Sequence, residues 1–403
     1  MEDPGEVAGP RSHRRQWLPG IVQAVAPDGI TDLGPGYLDP DLLPVDLLGD
    51  AYAEALSRYG SAALSYGENQ GVAPLREALA ERATATGGQP CGPENVLVTA
   101  GTSHALHLLA TMLAEPGDVV LCEPTGYDFG KQIFTDRGLT LSPVAVDGSG
   151  PDPQALADAA RAHRAGGRRV AFVYLIPTFH NPTGLLVGEA RRREILAVAR
   201  DHDLLIVEDD AYGELWLDPV EMPPALAGLA GYRGVVRLCT FAKTLGPGLR
   251  LGSMLAGPEL IARIAGSGVL SSGGGLNHLA SLAVTALMEG GGYDARLRWL
   301  RKRLVARRDA LVAGLGPGRD LQVPHGGFFL WLRGAPGTTE EDMVAAAGRA
   351  GVQVAGGSRF GLPDRPSVRL SYSFNSPEDL ALAGRRLARA WSAPAPLDPV
   401  TAH

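Results

Sequence analysis

The sequence TFAKTLGPGLRLG at residues 240–252 directly follows an apolar run at residues 234–239. Such a run predicts a buried strand, which places Lys243 in a turn just beyond the carboxyl end of that strand. Lys243 is one of only three lysines in a chain that is rich in arginine. An amine in such a turn can meet an aldehyde and form a Schiff base. The pattern therefore predicts a Schiff-base lysine, and an ordinary surface lysine after a strand is the alternative.

Thr240 and Arg250 lie on either side of Lys243 in this segment. A guanidinium offers a fixed fork of donors and keeps its charge, so it suits a phosphate dianion. The Thr240 hydroxyl could add a further hydrogen bond to the same phosphate. An amine, a hydroxyl and a guanidinium together point to pyridoxal 5′-phosphate (PLP), which carries both an aldehyde and a phosphate.

The composition is typical of a soluble globular enzyme. With 403 residues, of which 45% are hydrophobic, the chain can bury a large core and is expected to divide into two domains. A formal net charge of -7 gives no general attraction to nucleic acid or to an anionic membrane. The sequence has neither an apolar run that could span a bilayer nor a secretory leader, so we expect a cytoplasmic protein without membrane partners.

Short apolar runs alternate with helical stretches between about residues 50 and 285. Near-continuous apolar strands predict a sheet that is covered on both faces, and hence an α/β domain with a largely parallel sheet. Such sheets bind ligands beyond the carboxyl ends of their strands. The runs lie at residues 96–99, 119–122, 170–175, 204–207 and 235–240.

The two ends of the chain have a different pattern. Residues 1–28 have no apolar periodicity and are expected to form a mobile N-terminal arm. The basic cluster at residues 11–15 favours a solvated or subunit-wrapping arm over a nucleic-acid contact. Beyond residue 289, a helical stretch at residues 297–315 precedes further strand-like runs, which predicts a separate α+β layer.

The segment around Lys243 resembles the cofactor-lysine motif of class I/II aminotransferases, which are fold type I PLP-dependent enzymes. In the branch of the family that this segment resembles, the motif is Ser-Phe-Ser-Lys-x-x-x-Pro-Gly-Leu-Arg-x-Gly. In this sequence Ala242 stands in place of the second serine. The resemblance spans roughly residues 30–392. It implies an α/β large PLP-binding domain with a mostly parallel sheet at residues 46–288, and a smaller α+β domain built from residues 29–45 and 289–403.

The resemblance implies further contacts to PLP. Thr102 and Ser103 open a helix after a strand and match the phosphate cup of the family, although plain helix capping explains the same pattern. Tyr127 matches the tyrosine that stacks on the pyridine ring, with Gly126 inserted before it; a core or surface tyrosine is the alternative. Tyr66 resembles the tyrosine that reaches the phosphate of the partner subunit's cofactor, which implies a homodimer.

Asp209 ends a fully apolar strand, where a carboxylate needs a charged or hydrogen-bonding partner. The resemblance makes this partner the protonated pyridine nitrogen of PLP. Asn181 and Tyr212 match the residues that hydrogen-bond the phenolic oxygen of the cofactor. Glu208 and Asp210 are rival carboxylates; adjacent acids could equally be solvated loop charges or metal ligands, but no histidine or cysteine spacing supports a metal.

Arg369 is a cation within an alternating apolar strand, which predicts a bound anion on one face. The resemblance implies that Arg369 binds the α-carboxylate of the substrate, and a structural salt bridge is the alternative. Gly36 matches an N-terminal glycine that lines the substrate side, where Asn181 also belongs.

The resemblance implies an aminotransferase of amino-acid metabolism or biosynthesis. It would move an amino group between an L-amino acid and a 2-oxo acid by a ping-pong Schiff-base mechanism, with Lys243 as the catalytic residue. A PLP-dependent tailoring enzyme that performs β- or γ-elimination, cyclisation or oxidation is the alternative. The non-catalytic PLP domain of a GntR-type transcription regulator is less favoured, because such regulators carry a winged-helix domain ahead of that domain and only a short arm precedes Gly34.

Overall fold

The computed structural model describes residues 26–27, 29–273 and 276–392. The N-terminal arm that we expect at residues 1–28 therefore lies outside the described residues, except for residues 26 and 27.

The strands follow the apolar runs of the sequence, because the inner strands of a sheet that is covered on both faces bury every side chain. Their bounds are β1 (Thr31–Asp32), β2 (Val96–Thr99), β3 (Val119–Cys122), β4 (Thr140–Pro143), β5 (Val146–Asp147), β6 (Gly150–Pro151), β7 (Val170–Leu175), β8 (Ile206–Asp209), β9 (Val235–Thr240), β10 (Gly252–Leu255), β11 (Phe329–Arg333), β12 (Val352–Gln353), β13 (Ala355–Gly356) and β14 (Ser367–Ser371).

The helices surround these strands, and several begin with a side-chain cap, such as Asp152 before α5 and Ser376 before α13. None of the helices in the described ranges is long and apolar enough to cross a membrane. Their bounds are α1 (Val45–Tyr59), α2 (Ala73–Gly87), α3 (Thr102–Met112), α4 (Asp128–Asp136), α5 (Pro153–Ala165), α6 (Glu189–Asp201), α7 (Leu226–Leu229), α8 (Pro258–Ala265), α9 (Gly268–Gly273), α10 (His278–Glu289), α11 (Gly292–Leu315), α12 (Glu340–Arg349) and α13 (Pro377–Ala390).

The central sheet has seven strands in the order β2-β10-β9-β8-β7-β3-β4. β10 runs antiparallel to both of its neighbours, and the other neighbouring strands pair in parallel. The predicted α/β fold with a largely parallel sheet is therefore confirmed. Asp209 and Thr240 are the last residues of the adjacent parallel strands β8 and β9, so they lie at the same edge of the sheet.

Four of the five predicted strands have the predicted bounds. The run at residues 204–207 is the exception, because its strand begins at Ile206 and continues to Asp209. The Leu204 amide still donates to the Ala199 carbonyl of α6 at 2.8 Å, so this residue belongs to the turn that ends the helix. The antiparallel strand β10 and the edge strand β4 are additions that the sequence pattern did not predict.

A second hydrophobic core lies beside the three-stranded sheet β11-β14-β13. It joins Leu33, Leu38 and Leu42, near the start of the described chain, to buried residues of α11, α13 and β14. Within this core α11 and α13 approach closely, since a Cβ placed on Gly384 would lie 2.8 Å from the Leu311 carbonyl oxygen. Only a residue without a side chain allows this backbone contact.

The close approach of α11 and α13 predicts that Gly384→Ala destabilises the fold. The added methyl group would overlap backbone atoms rather than a movable side chain, and such overpacking typically costs about 1–3 kcal/mol. Gly348→Ala is the matched control, because Gly348 lies in α12 and a Cβ added there would meet no heavy atom within 4 Å. This control is expected to be neutral or to stabilise the fold by up to about 1 kcal/mol. Denaturant unfolding measures both, and equal stabilities for the two variants would contradict the prediction.

Candidate active site

Lys243 lies just beyond the carboxyl end of β9, in a single 3₁₀ turn at Phe241–Lys243. The Thr240 side chain begins this turn by accepting a hydrogen bond from the Ala242 amide at 3.1 Å. The Thr240 hydroxyl in turn donates to the Leu251 carbonyl at 3.4 Å. The local backbone is thus fixed by Thr240, and Lys243 occupies the turn that the sequence predicts.

The Lys243 amine lies among groups from distant parts of the chain. Its Nζ donates to the Gly36 carbonyl at 2.7 Å and lies 5.6 Å from the centre of the Tyr212 ring. Burial lowers the pKa of Lys243 to about 8, the positive Arg369 acts in the same direction, and Asp209 opposes both. A neutral amine is therefore accessible at Lys243 close to neutral pH.

Asp209 is only 3% exposed at the end of β8. Its Oδ2 accepts a hydrogen bond from the Tyr174 hydroxyl at 2.7 Å, whereas its Oδ1 has no hydrogen-bond partner among the described residues. Burial raises the pKa of Asp209 to about 6, although the Tyr174 hydrogen bond acts against this shift. A buried carboxylate oxygen without a partner is costly, so this position favours a ligand that brings a donor or a cation.

The two acids beside Asp209 have partners of their own. Glu208 accepts hydrogen bonds from two backbone amides at the start of α7, at 2.8 and 3.0 Å. Asp210 pairs with Arg237 at 2.6 Å. Because successive residues of a strand point to opposite faces of a sheet, these contacts lie on the face opposite to Asp209.

Arg250 and the first turn of α3 form a positively charged cradle. Arg250 Nη2 donates to the Ala100 carbonyl at 3.1 Å, and a Cβ on Gly101 would lie 3.1 Å from the same nitrogen. Gly101 has a φ of 84°, a conformation that favours glycine. Thr102 and Ser103 are the first residues of the helix, and their amides contribute to its positive end.

Tyr127 and Tyr212 both lie close to Asp209. Burial raises the pKa of Tyr127, the negative Asp209 acts in the same direction, and a hydrogen bond with Ser103 opposes the shift. Tyr127 therefore lies near both Asp209 and Ser103. Burial also raises the pKa of Tyr212, where Arg369 opposes the shift.

Arg369 extends from β14 towards the same region, with its guanidinium held in one orientation. Its Nη1 donates to Asn181 Oδ1 at 2.8 Å, and its Nη2 donates to the Gly34 carbonyl at 2.5 Å. The Phe329 and Phe360 rings lie against the guanidinium, with their centres 4.0 and 4.4 Å from Cζ. This arrangement brings Arg369, Asn181 and the N-terminal glycine segment together.

The Arg369 side chain is charged but lacks a carboxylate partner. It is 5% exposed, and no carboxylate of the described residues forms an ion pair with it. Its Nε is buried without a hydrogen-bond partner among these residues, and burial lowers the pKa of Arg369 to about 10. A buried guanidinium in this condition favours an external anion over a structural salt bridge.

Tyr66 lies outside this group of residues. Its side chain is 85% exposed, on a groove that Tyr59, Glu68 and His278 also line. None of the residues that line this groove belongs to the cluster around Lys243.

Two residues of the site were missed by the sequence reasoning. Tyr174 lies within the apolar run of β7, where it resembles a core tyrosine, yet it supplies a hydrogen bond to Asp209. Its position near the carboxyl end of a strand next to β8 was the signal that could have identified it. Phe329 lies in an apolar run of the same kind, and nothing in the sequence relates it to Arg369.

These groups together fit PLP. The Lys243 amine, with its lowered pKa, suits the aldehyde of PLP. The unpartnered oxygen of Asp209 suits the protonated ring nitrogen, and the guanidinium of Arg250 with the positive end of α3 suits the phosphate. A metal ion fits less well, since no cluster of three or more histidine, cysteine, aspartate or glutamate side chains within the described ranges could hold one.

Comparison with known proteins finds similarity to aminotransferases and to transcriptional regulators. The family model for aminotransferase class I and II matches residues 39–387. The 2-aminoadipate transaminase of Thermus thermophilus is 33% identical over 373 residues, which cover 90% of each chain. The uncharacterised HTH-type transcriptional regulator YisV of Bacillus subtilis is 32% identical over 371 residues, which cover 89% of this chain and 74% of the regulator. The structure of Pyrococcus horikoshii kynurenine aminotransferase, in complex with PMP, KYN and KYA, matches with a TM-score of 0.83 at 27% identity and 91% coverage of each chain.

The lowered pKa of Lys243 predicts a pH-dependent stability of the cofactor-free protein. Between about pH 8 and pH 10.5 the unfolded chain binds more protons at this residue than the folded chain, so its contribution to stability rises with pH. Below about pH 8 the folded protein bears the full cost of the buried charge. Lys243→Met removes this cost, so its advantage in free energy of unfolding should be largest near neutral pH and should shrink towards about pH 10.

Denaturant unfolding of the two proteins across this pH range provides the measurement. Lys302→Met at an exposed position is the matched control for the loss of one positive charge. An advantage of Lys243→Met that stays constant with pH would contradict a lowered pKa.

Proposed function

Since the chain belongs to the aminotransferase class I and II family, we propose that it is a PLP-dependent aminotransferase in which Lys243, Asp209 and Arg369 divide the work of transamination. The reaction moves an amino group between an L-amino acid and a 2-oxo acid. The observation that carries this proposal is that an amine of lowered pKa, an unpartnered carboxylate oxygen and an unpaired guanidinium meet at one edge of the sheet.

The residues that would hold PLP are those with unmet hydrogen-bonding or electrostatic capacity. Asp209 would hold the ring nitrogen through its free Oδ1, and Arg250 with the first turn of α3 would hold the phosphate. Thr102, Ser103 and Thr240 supply hydroxyls near that phosphate position, while Tyr127, Asn181 and Tyr212 would contact the ring and its substituents. When bound, PLP supplies an electron-accepting ring that stabilises the charge left when the substrate Cα loses its proton.

Lys243 is the proton carrier of the proposed reaction. A pKa of about 8 allows its Nζ to be neutral, and therefore to accept a proton from the substrate Cα, near physiological pH. The hydrogen bond to the Gly36 carbonyl fixes the position of Nζ without supplying a charge that would raise its pKa strongly. Gly36 therefore contributes to the site through its backbone.

Arg369 binds the carboxylate that amino acids and 2-oxo acids share. Its guanidinium is held by Asn181 and Gly34, which orient it but leave its charge uncompensated. A planar guanidinium in a fixed orientation suits two-point recognition of a carboxylate. One site can therefore accept both substrates in turn, as ping-pong transamination requires.

A regulator domain that binds PLP without turnover is the second candidate function. The observation that favours it is the 32% identity with YisV, which is named as a transcriptional regulator. The two candidates differ in whether added amino acids are converted, so one experiment separates them.

Purified, PLP-loaded protein should convert a suitable L-amino acid in the absence of an oxo-acid acceptor. We expect stoichiometric pyridoxamine phosphate and 2-oxo acid, detected by visible absorbance and mass spectrometry, and recovery of the PLP spectrum when a 2-oxo acid is added. The amino acids tested should include 2-aminoadipate and kynurenine, since two similar proteins are named for these substrates.

Lys243→Ala should abolish this conversion, because it removes the amine that carries the proton, whereas Lys302→Ala should behave as wild type. Continuous turnover without acceptor and with PLP regenerated would favour elimination, cyclisation or oxidation. No reaction with any amino acid would favour the regulator.

We further expect a homodimer, in which Tyr66 contacts the cofactor of the partner subunit. Its 85% exposure in the single chain supports this role, because a tyrosine that is held by its own subunit would be more buried. Light scattering should give twice the chain mass of 42.2 kDa. Co-expression of inactive Tyr66→Ala and Lys243→Ala chains should restore activity, because a mixed dimer contains one site without either substitution. A monomer, or a mixture without activity, would rule out this arrangement.

A further inference from the structure

The loop before Tyr127 is joined directly to the segment before β14. Thr125 and Gly361 form an antiparallel β-bridge. The Gly126 amide donates to the Phe360 carbonyl at 2.9 Å, and the Leu362 amide donates to the Pro124 carbonyl at 3.1 Å. Gly126, the residue inserted relative to the family motif, thus supplies one of the two amides of this bridge.

Lys131 reinforces the same bridge from α4. Its Nζ donates to the Pro124 carbonyl at 2.9 Å and to the Phe360 carbonyl at 3.3 Å. These two carbonyls are the ones that accept the amides of Gly126 and Leu362, so a single ammonium group connects both hydrogen bonds. We call residues 124–126 and 360–362 together with Lys131 the clasp.

Gly361 makes this arrangement possible. A Cβ at this position would lie 2.1 Å from the Pro124 carbonyl oxygen and 3.0 Å from Lys131 Nζ. Its φ of 130° is also a value that side chains disfavour. The two segments can approach this closely, with an ammonium group above them, only because position 361 is glycine.

The clasp controls the position of a side chain that touches Arg369. The Phe360 residue is 1% exposed and its ring centre lies 4.4 Å from the Arg369 guanidinium carbon, which Phe329 also contacts. Because Phe360 belongs to the clasp through its carbonyl, a shift of the clasp moves one of the two rings that hold the guanidinium. The Trp331 ring packs edge-on against Phe360 at an interplanar angle of 75°, which limits where else the Phe360 ring can go.

A contribution to the stability of the fold does not explain why a lysine occupies position 131. The ammonium group is partly buried, no carboxylate of the described residues forms an ion pair with it, and burial lowers the pKa of Lys131. Two neutral carbonyls return only part of the free energy that an ammonium loses on leaving water. An apolar side chain of similar length, such as methionine, would fill the same space without this cost.

We propose that Lys131 is a positioning residue, which holds the clasp closed and thereby fixes the Phe360 ring and the Arg369 guanidinium for binding of the substrate carboxylate. This inference rests on the proposed function in one respect, the binding of that carboxylate by Arg369. It assigns Lys131 no part in the movement of protons.

Lys131→Met tests this role by a comparison of KM with kcat. The variant should raise KM for both the amino acid and the 2-oxo acid about tenfold, as expected for the loss of one interaction that orients a charged group, and leave kcat within about twofold of wild type. Lys131→Arg, which keeps a charged donor, should give a smaller increase and guards against a variant that does not fold. Lys302→Met, at the exposed third lysine, should leave both constants unchanged.

An unchanged KM in Lys131→Met, with an active wild-type protein, would overturn this inference alone. A fall in kcat without a change in KM would also overturn it, since that result would place Lys131 in the chemical steps. A wild-type protein that fails to transaminate would overturn the proposed function, and with it the carboxylate role.

Hydrogen exchange tests the clasp without any catalysis. In the PLP-loaded protein, the amides of Gly126 and Leu362 should exchange at least about tenfold faster in Lys131→Met than in wild type or Lys302→Met, because their acceptor carbonyls lose the ammonium that holds them together. Amides of the central strands should keep their protection. Equal exchange of the two amides in all three proteins would overturn the inference, whatever the kinetic constants.

Discussion

Withdrawal of three charged side chains from water at one edge of the sheet is the constraint on which the rest of the structure depends, with Asp209 and Arg369 buried and Lys243 partly buried. Asp209 and Arg369 both lie close enough to Lys243 to shift its pKa, yet each of the three side chains forms its hydrogen bonds with a neutral group. Charges that leave water without a direct counter-ion cost several kcal/mol each, even after relaxation. The apolar strands and helices must offset this cost, and a ligand with complementary charges relieves it.

The opposite face of the sheet keeps Asp209 in the correct register. Arg192 is 1% exposed, pairs with Glu208 at 3.4 Å, and donates to Thr178 at 2.8 Å. Asp210 is bound to Arg237 on the same face. A slip of β8 by one residue would exchange the faces of all three acids, so the two ion pairs would be lost together with the position of Asp209.

The sequence predicted the central strands and the residues that gather at their ends, because continuous apolar runs and polar strand ends are local signals. Lys243, Asp209 and Arg369 were recognisable for this reason, although their roles were implied by resemblance. Tyr174 carries only one local signal, its place near the carboxyl end of a strand, and Phe329 carries none, because the function of both residues depends on which strands become neighbours. The pairing of β10 between β2 and β9 was equally hidden, since the sequence does not state its direction.

The glycine segment at residues 34–36 explains how buried cations can stay reactive. Its carbonyls accept hydrogen bonds from Arg369 and from Lys243, which lie far away in sequence. The segment is held beside β14, where the Leu33 carbonyl accepts from the Ser371 amide at 2.7 Å. Backbone carbonyls orient the two cations but carry no net charge, so they leave the positive potential available to an anionic ligand. A carboxylate at this place would bind the cations more tightly and would compete with the ligand, whereas a backbone carbonyl accepts the hydrogen bonds and adds no charge.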